Sequence, residues 1–360
     1  MAEMTSKERY VACLHRETPD KVPILHWSID LAQALSGVSM HEYAFDPEKL
    51  ALGVIRYVRK YKPDVTSVSY DLWHQLEPYG VEVHITDSLI YPKKNLADRN
   101  RPDPKVYEEL EYRSPFAGKR TQVYRKACKI VLDELGDEVA FRSGGYGPVS
   151  NLGLLAGVKE GLRDAVLFPE AFLGAAKRVM MDWTVDFATG LLEGYKDKAA
   201  CFTYGYASLD GDLMVPELKD EIVRLEVEGL DRIREKIREI CGRDLPISTH
   251  ICGTRPQLEF LAEKFGDRLD EFQYWIGSDN PLEDVVEKLG DRYVITTGID
   301  HTRTMILGNP ADVDAMVKSA MDIAKGRCSF VLSSGCELGI MTPETNIQAL
   351  LEARDKYGTY

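Results

Sequence analysis

Short apolar, β-branched runs alternate along the chain with longer stretches whose apolar residues fall at i, i+3, i+4 spacing. The short runs predict strands at 21–27, 64–70, 139–145, 199–205, 245–251, 270–276, 292–298 and 328–334. Between them "DPEKLALGVIRYVRKY", "PELKDEIVRLEVEGLDRIREKIREIC", "NPADVDAMVKSAMDIAKG" and similar stretches predict helices. Several open with Asp or Asn before Pro and close on Gly, the usual start and stop signals. Eight strands, each followed by helix, predict an α/β fold: a single (β/α)8 TIM-barrel domain over residues 1–360. An open doubly wound sheet is the alternative, but no glycine-rich phosphate loop follows the first strand. The segment 75–135, with "VEVHITDSLIYP" and "NRPDPKVYEELEYRSP", breaks the rhythm and is expected to be a hairpin and loop insertion over the barrel mouth.

Composition narrows the partners. The 360 residues are 44% hydrophobic and 29% charged, with a formal net charge of −13. That charge argues against nucleic acid or an anionic membrane as the main partner. No apolar stretch reaches the roughly 18 residues a membrane span needs, and the charged N-terminus lacks a signal-peptide core. Seven scattered cysteines fit free thiols in a reducing compartment. A cytoplasmic location is expected, and a homodimer is left open.

In a barrel of this kind the active site forms at the C-terminal ends of the strands. Those ends carry Trp27, Tyr70, Tyr146, Tyr204 and Tyr206, His250 and Cys252, Asp300 and His301, and Cys336. Strand side chains alternate, so His250 and Cys252 in "LPISTHICGTRPQ" point the same way. Cys336, in "SSGCE" after the last strand, adds a third soft or borderline ligand at the same mouth. One imidazole and two thiolates are a common zinc set, and three protein ligands leave the open position of a catalytic site. The plain alternative is a buried histidine beside buried thiols. For the fourth position Glu77, Glu337 and water are candidates. Asp300 and Tyr204 are the candidate catalytic residues; Trp27, Tyr70, Tyr146, Tyr206 and His301 are candidate substrate contacts. Each has a simpler reading, as a loop cap for Asp300, rim packing for the tyrosines and a solvated loop residue for His301.

"STHICGTRPQLEFLAE", "DRYVITTGIDHTRTMILGNPADV" and "SFVLSSGCELGIMTPETNIQALLEA" resemble the uroporphyrinogen decarboxylase superfamily. "GGYGPVSNLGLLAG" and "SLDGDLMVPE" fit the same pattern. Within the superfamily they are similar to the zinc-dependent corrinoid methyltransferases, such as those acting on methylcobalamin and coenzyme M. The resemblance covers most of the chain and is strongest from about residue 200 onward. It implies the barrel fold and a zinc held by His250, Cys252 and Cys336 through the branch's His-x-Cys…Cys motif. The decarboxylase branch holds a polycarboxylate with arginines near its first strand, whereas "VPILHWSIDLAQALSG" here has none. Cobalamin-carrying proteins use an Asp-x-His-x-x-Gly loop, which this chain lacks. The resemblance therefore implies cobalamin supplied by a partner corrinoid protein. The expected activity is methyl transfer between that cobalamin and a small molecule, either a thiol acceptor or a methylated donor. An aromatic rim suits O-demethylation of a methoxy-aromatic at least as well as a thiol. A decarboxylase relative and a non-catalytic binding barrel are the rivals.

Overall fold

The computed structural model describes residues 3–360 apart from Ser69, Asp212 and Ser278. Ser69, in the strand expected at 64–70, and Asp212, in the 208–217 stretch, thus lie outside the described residues.

Each of the eight expected strands is present. They are β1 (Ile24–Leu25), β2 (Val65–Thr66), β5 (Ala140–Tyr146), β6 (Ala199–Gly205), β7 (Ile247–Ile251), β8 (Glu271–Tyr274), β9 (Val294–Gly298) and β10 (Phe330–Ser333). All pair in parallel in one sheet of order β1-β10-β9-β8-β7-β6-β5-β2. Helices follow the strands, which gives a nearly closed (β/α)8 barrel. Most strand residues are buried, which explains why they read as near-continuous apolar runs.

The seam between β1 and β2 is closed by a side chain. Asp64 donates its backbone N–H to the Ile24 carbonyl at 2.8 Å, and its Oδ2 accepts the Ile24 N–H at 2.8 Å. The same buried carboxylate receives Arg9 at 2.6 Å and Arg354 at 3.1 Å. The helix Ser6–Leu14 and the C-terminal helix Glu344–Tyr357 are thereby pinned to the seam. Tyr10, from the first of these, enters the barrel floor among Leu25, Val65, Ala140, Cys201, Val294 and Val331. Its hydroxyl donates to Glu271 Oε2 at 2.6 Å, while Thr296 donates to Glu271 Oε1 at 2.6 Å. Polar residues therefore occupy the barrel interior above an apolar base.

The 75–135 segment is a correction in part. A hairpin is there, β3 (Glu82–Ile85) against β4 (Ile90–Lys94), antiparallel and with a register shift. Residues 119–135, however, are a helix, Lys119–Leu135, packed on the helix Pro47–Tyr61. Its buried stripe is Ala127, Cys128, Val131, Leu132 and Leu135. That stripe is disguised in sequence by small residues and by flanking Lys and Arg. Among the described residues no helix is long and apolar enough to cross a membrane.

One buried carboxyl gives a pH signature. Glu226, on the helix Lys219–Cys241, accepts from Ser150 N–H (3.1 Å), Ser208 Oγ (3.0 Å) and the Tyr204 hydroxyl (3.3 Å). It thereby caps the helix Pro148–Ala156 and ties it to the loop after β6. Burial pushes its carboxyl up to about 7 from an ordinary 4.5. Between these pH values the folded state holds a proton that the unfolded chain has released. Its contribution is complete below about pH 4.5 and is lost as pH rises through about 7, by up to about 3 kcal/mol. Glu226→Gln should remove this slope. Urea denaturation from pH 4.5 to 8 checks it: a wild-type-minus-variant difference that stays flat sinks the assignment.

Candidate metal centre and its cavity

The C-terminal ends of the strands surround a cavity of about 320 Å³. His250, on β7, and Cys252, just past it, face this cavity together with Cys336 from the turn after β10. His250 Nε2 lies 2.8 Å from Cys252 Sγ, and Cys252 Sγ lies 3.8 Å from Cys336 Sγ. All three ligand atoms fall within 4.8 Å of one another.

Local backbone presents these groups. Gly335 adopts φ +65°, and a Cβ there would come within 2.8 Å of the Tyr274 carbonyl. The turn tightens further where Cys336 N–H donates to Ser334 O (2.6 Å) and Ser334 Oγ donates to Cys336 O (2.5 Å). Leu338 N–H then donates to the Trp27 carbonyl at 2.9 Å, fixing this turn to the end of β1. The Trp27 ring meets His250 edge-on, with centroids 5.8 Å apart.

The donor set fits zinc. With Zn–S bonds of about 2.3 Å, a tetrahedral S···S edge is about 3.8 Å, the separation found here. The imidazole must open outward by less than an ångström to match. Cys336 is already biased toward thiolate, since hydrogen bonding from Cys252, and then from His250, pushes its thiol down. The same sharing pushes Cys252 up.

A model of the family described as uroporphyrinogen decarboxylase (URO-D) matches residues 5–357. The chain belongs to the URO-D family. Curated relatives of this URO-D protein include the methylcobamide:CoM methyltransferase MtaA of Methanosarcina barkeri, 23% identical over 365 residues. Another is MtbA of Methanosarcina acetivorans, 22% identical over 374 residues; both alignments cover 99% of each chain. A solved structure of a methyltransferase from Methanosarcina mazei superposes with a TM-score of 0.77 at 21% identity, covering 99% of each chain, and shares the fold.

In this URO-D barrel the other expected site residues divide. Trp27, Tyr70 and Tyr146 line the cavity. The Tyr70 hydroxyl is anchored to the Ala44 carbonyl. The Tyr146 ring lies over Gly205, where a Cβ would approach it to 2.7 Å. Tyr204 and Tyr206 are placed elsewhere. Thr203 and Gly205 take the cavity face of β6, so alternation turns the two tyrosines into the helical layer. There Tyr204 donates to Glu226 and Tyr206 packs on Phe265, with centroids 4.8 Å apart. Asp300 caps its own loop, Oδ1 accepting the Thr302 (3.1 Å) and Arg303 (2.9 Å) N–H groups. His301 stacks edge-on against Trp275 at 4.8 Å and is absent from the cavity wall. Burial lowers its pKa.

Of the two carboxylates considered for the fourth ligand position, Glu77 turns away and accepts the Arg120 N–H at 3.1 Å. Glu337 lines the cavity, accepts the Ile29 N–H and is pushed up to about 7 by burial. The hairpin β3–β4 contributes nothing to the lining. The wall comes instead from residues just after β2, among them Asp71, His74 and Gln75. Asp71 is locked to Arg120 at 2.6 Å, both buried. His74 sits among Tyr70, Tyr124 and Phe187, and burial holds it neutral. Sequence reasoning placed Asp71 at the end of the second strand without giving it a role, and missed His74 and Gln75. The only signal was the polar cluster "YDLWHQ" at the end of a strand.

Proposed function

We propose that this protein is a zinc-dependent methyltransferase moving a methyl group between a small molecule and the cobalamin of a partner corrinoid protein. The observation that carries this reading is the convergence of His250, Cys252 and Cys336 on one cavity. The named relatives support the corrinoid side. Zinc bound by these residues would supply Lewis acidity, lowering the pKa of a substrate thiol or drawing charge from a leaving oxygen.

The chain's own groups do the rest. Two thiolates and a neutral imidazole offset the dication, so a substrate arrives without a large electrostatic bias. Trp27 holds the His250 ring against rotation. Tyr146, Tyr70 and Phe187 give apolar walls that orient a flat or small substrate and exclude water. For a methoxy donor, the C–O bond breaks with its electron pair left on oxygen, while the cob(I)alamin pair forms the cobalt–carbon bond. For a thiol acceptor, the thiol gives its proton to solvent, a sulfur pair forms the S–C bond and the cobalt keeps the pair it shared with the methyl carbon.

Decarboxylation of a porphyrinogen has less support. Among the described lining residues Arg142 is the only arginine, too little to hold a ring of carboxylates. The test is a mixing experiment. Zinc-loaded protein with cob(I)alamin and methoxy-aromatics, or with methylcobalamin and thiols, should shift the corrinoid spectrum between its cob(I) and methylated forms. Carbon dioxide release from a porphyrinogen, with no methyl transfer in either direction, would overturn the proposal.

A further inference from the structure

One wall of the cavity is aromatic and holds an imidazole that the protein leaves without a hydrogen bond. Tyr70, His74, Tyr124 and Phe187 all line it. The His74 ring lies 5.0 Å from Tyr70, 4.7 Å from Tyr124 and 5.9 Å from Phe187, centroid to centroid. The two tyrosines turn their hydroxyls to groups outside the lining. Tyr70 donates to the Ala44 carbonyl, and Tyr124 meets the Cys128 thiol one helical turn on. His74 is 4% exposed, and its Nδ1 is buried without a partner. Among the described residues neither ring nitrogen is hydrogen-bonded to the protein.

The residue is nevertheless firmly placed. The Thr121 hydroxyl donates to the His74 carbonyl at 2.9 Å. Asp71, locked to Arg120, accepts the Trp73 N–H at 2.9 Å. A phenylalanine would fill the same space with no polar atom to satisfy, whereas a buried nitrogen without a partner is costly until a bound group supplies one. Burial holds the imidazole neutral, so one nitrogen accepts and the other donates. That matches a hydroxyl. An ionic ligand has no such match, because the charges around the cavity are answered already. Arg120 answers Asp71, and the buried Glu271 carboxylate, deeper in the barrel, answers Arg142. The faces of Tyr70, Tyr124 and Phe187 suit a flat aromatic ring. His250, Cys252 and Cys336 border the same cavity.

We infer that His74 anchors the substrate, and that the substrate is an uncharged methoxyphenol. Its ring lies on the aromatic wall, its phenolic hydroxyl hydrogen-bonds the His74 imidazole, and its methoxy oxygen turns toward the metal ligands. The hydroxyl anchor stands on the unpartnered imidazole and its aromatic surround. The methoxy end rests on the methyltransferase reading above.

Calorimetric titration separates the two. The probes are anisole and 2-, 3- and 4-methoxyphenol, added to zinc-free and zinc-loaded protein. The zinc-free wild type should bind one methoxyphenol isomer about tenfold tighter than anisole, the scale of one neutral hydrogen bond in a desolvated site. His74→Phe should abolish that preference and keep anisole binding. His74→Gln, which restores a polar group, should regain part of it. A purely structural role would weaken anisole and the phenols together, and that result overturns the anchor. So does a wild type that binds no isomer tighter than anisole, a comparison that needs no variant to fold. A preference that survives His74→Phe overturns it too. Methoxyphenol preference without methyl transfer to cob(I)alamin by the zinc-loaded protein would refute the methyltransferase reading and leave the anchor standing. Methyl transfer with anisole and all three phenols bound equally would do the reverse.

Discussion

Cys336→Ser should lower bound zinc from about one ion per chain to near zero, with methyl transfer expected to fall on the order of a thousandfold. The variant replaces a soft anionic ligand with a neutral hydroxyl, so the site loses both a bond and half of the negative charge that offsets the dication. The remaining pair, His250 and Cys252, cannot enclose a tetrahedral ion. The fold should not suffer. Cys336 is only partly buried, and its turn is held by backbone contacts to Ser334 and by Leu338 N–H on the Trp27 carbonyl. Metal analysis and a thermal melt, run together, read both halves. Full zinc in both Cys336→Ser and Cys252→Ser would mean that the ion sits elsewhere.

Asp64→Ala should destabilise the protein by about 3–5 kcal/mol, the cost of stranding buried charge by removing its partner. The carboxylate, 1% exposed, receives Arg9, Arg354 and the Ile24 N–H. Its loss leaves Arg354 with only the half-exposed Asp355, and leaves the β1–β2 seam with a single bridging hydrogen bond. Asp64→Asn keeps the shape but not the charge, and should fall between alanine and wild type. Urea denaturation midpoints measure the order. Alanine within about 1 kcal/mol of wild type would show that the seam is held by packing instead.

The two predictions draw on parts of the molecule that differed in how well they could be read. Buried parallel strands are apolar on both faces, so runs such as "RYVITTG" marked β9 without help from context. His250 and Cys252 were legible because alternation is a local rule, and "SSGCE" because it ends a strand. The same rule misled at β6, where two tyrosines flank Gly205. Which face they take depends on the inner face being filled by Thr203 and Gly205, and on the Tyr146 ring needing the space above the glycine. Nothing local says so. Asp300 stood at a strand end like His250 and Cys252, but its carboxylate closes the turn that follows. The Asp64 seam and the Asp71–Arg120 pair join residues many positions apart, and pairing of that kind leaves no periodic trace. The hydrogen bonds of Arg142 to Thr203, Ser248 and Gln273 likewise join strands far apart in the chain.

The central claim is that zinc is held by His250, Cys252 and Cys336 with one position left for substrate. Zinc X-ray absorption of the purified protein tests it most directly. The account predicts two sulfur scatterers at about 2.3 Å and light-atom scatterers at about 2.0–2.1 Å. Adding a thiol or methoxy substrate should change one light-atom contribution while the two protein sulfurs stay. A zinc shell without sulfur, or a spectrum unchanged in Cys336→Ser, would contradict it.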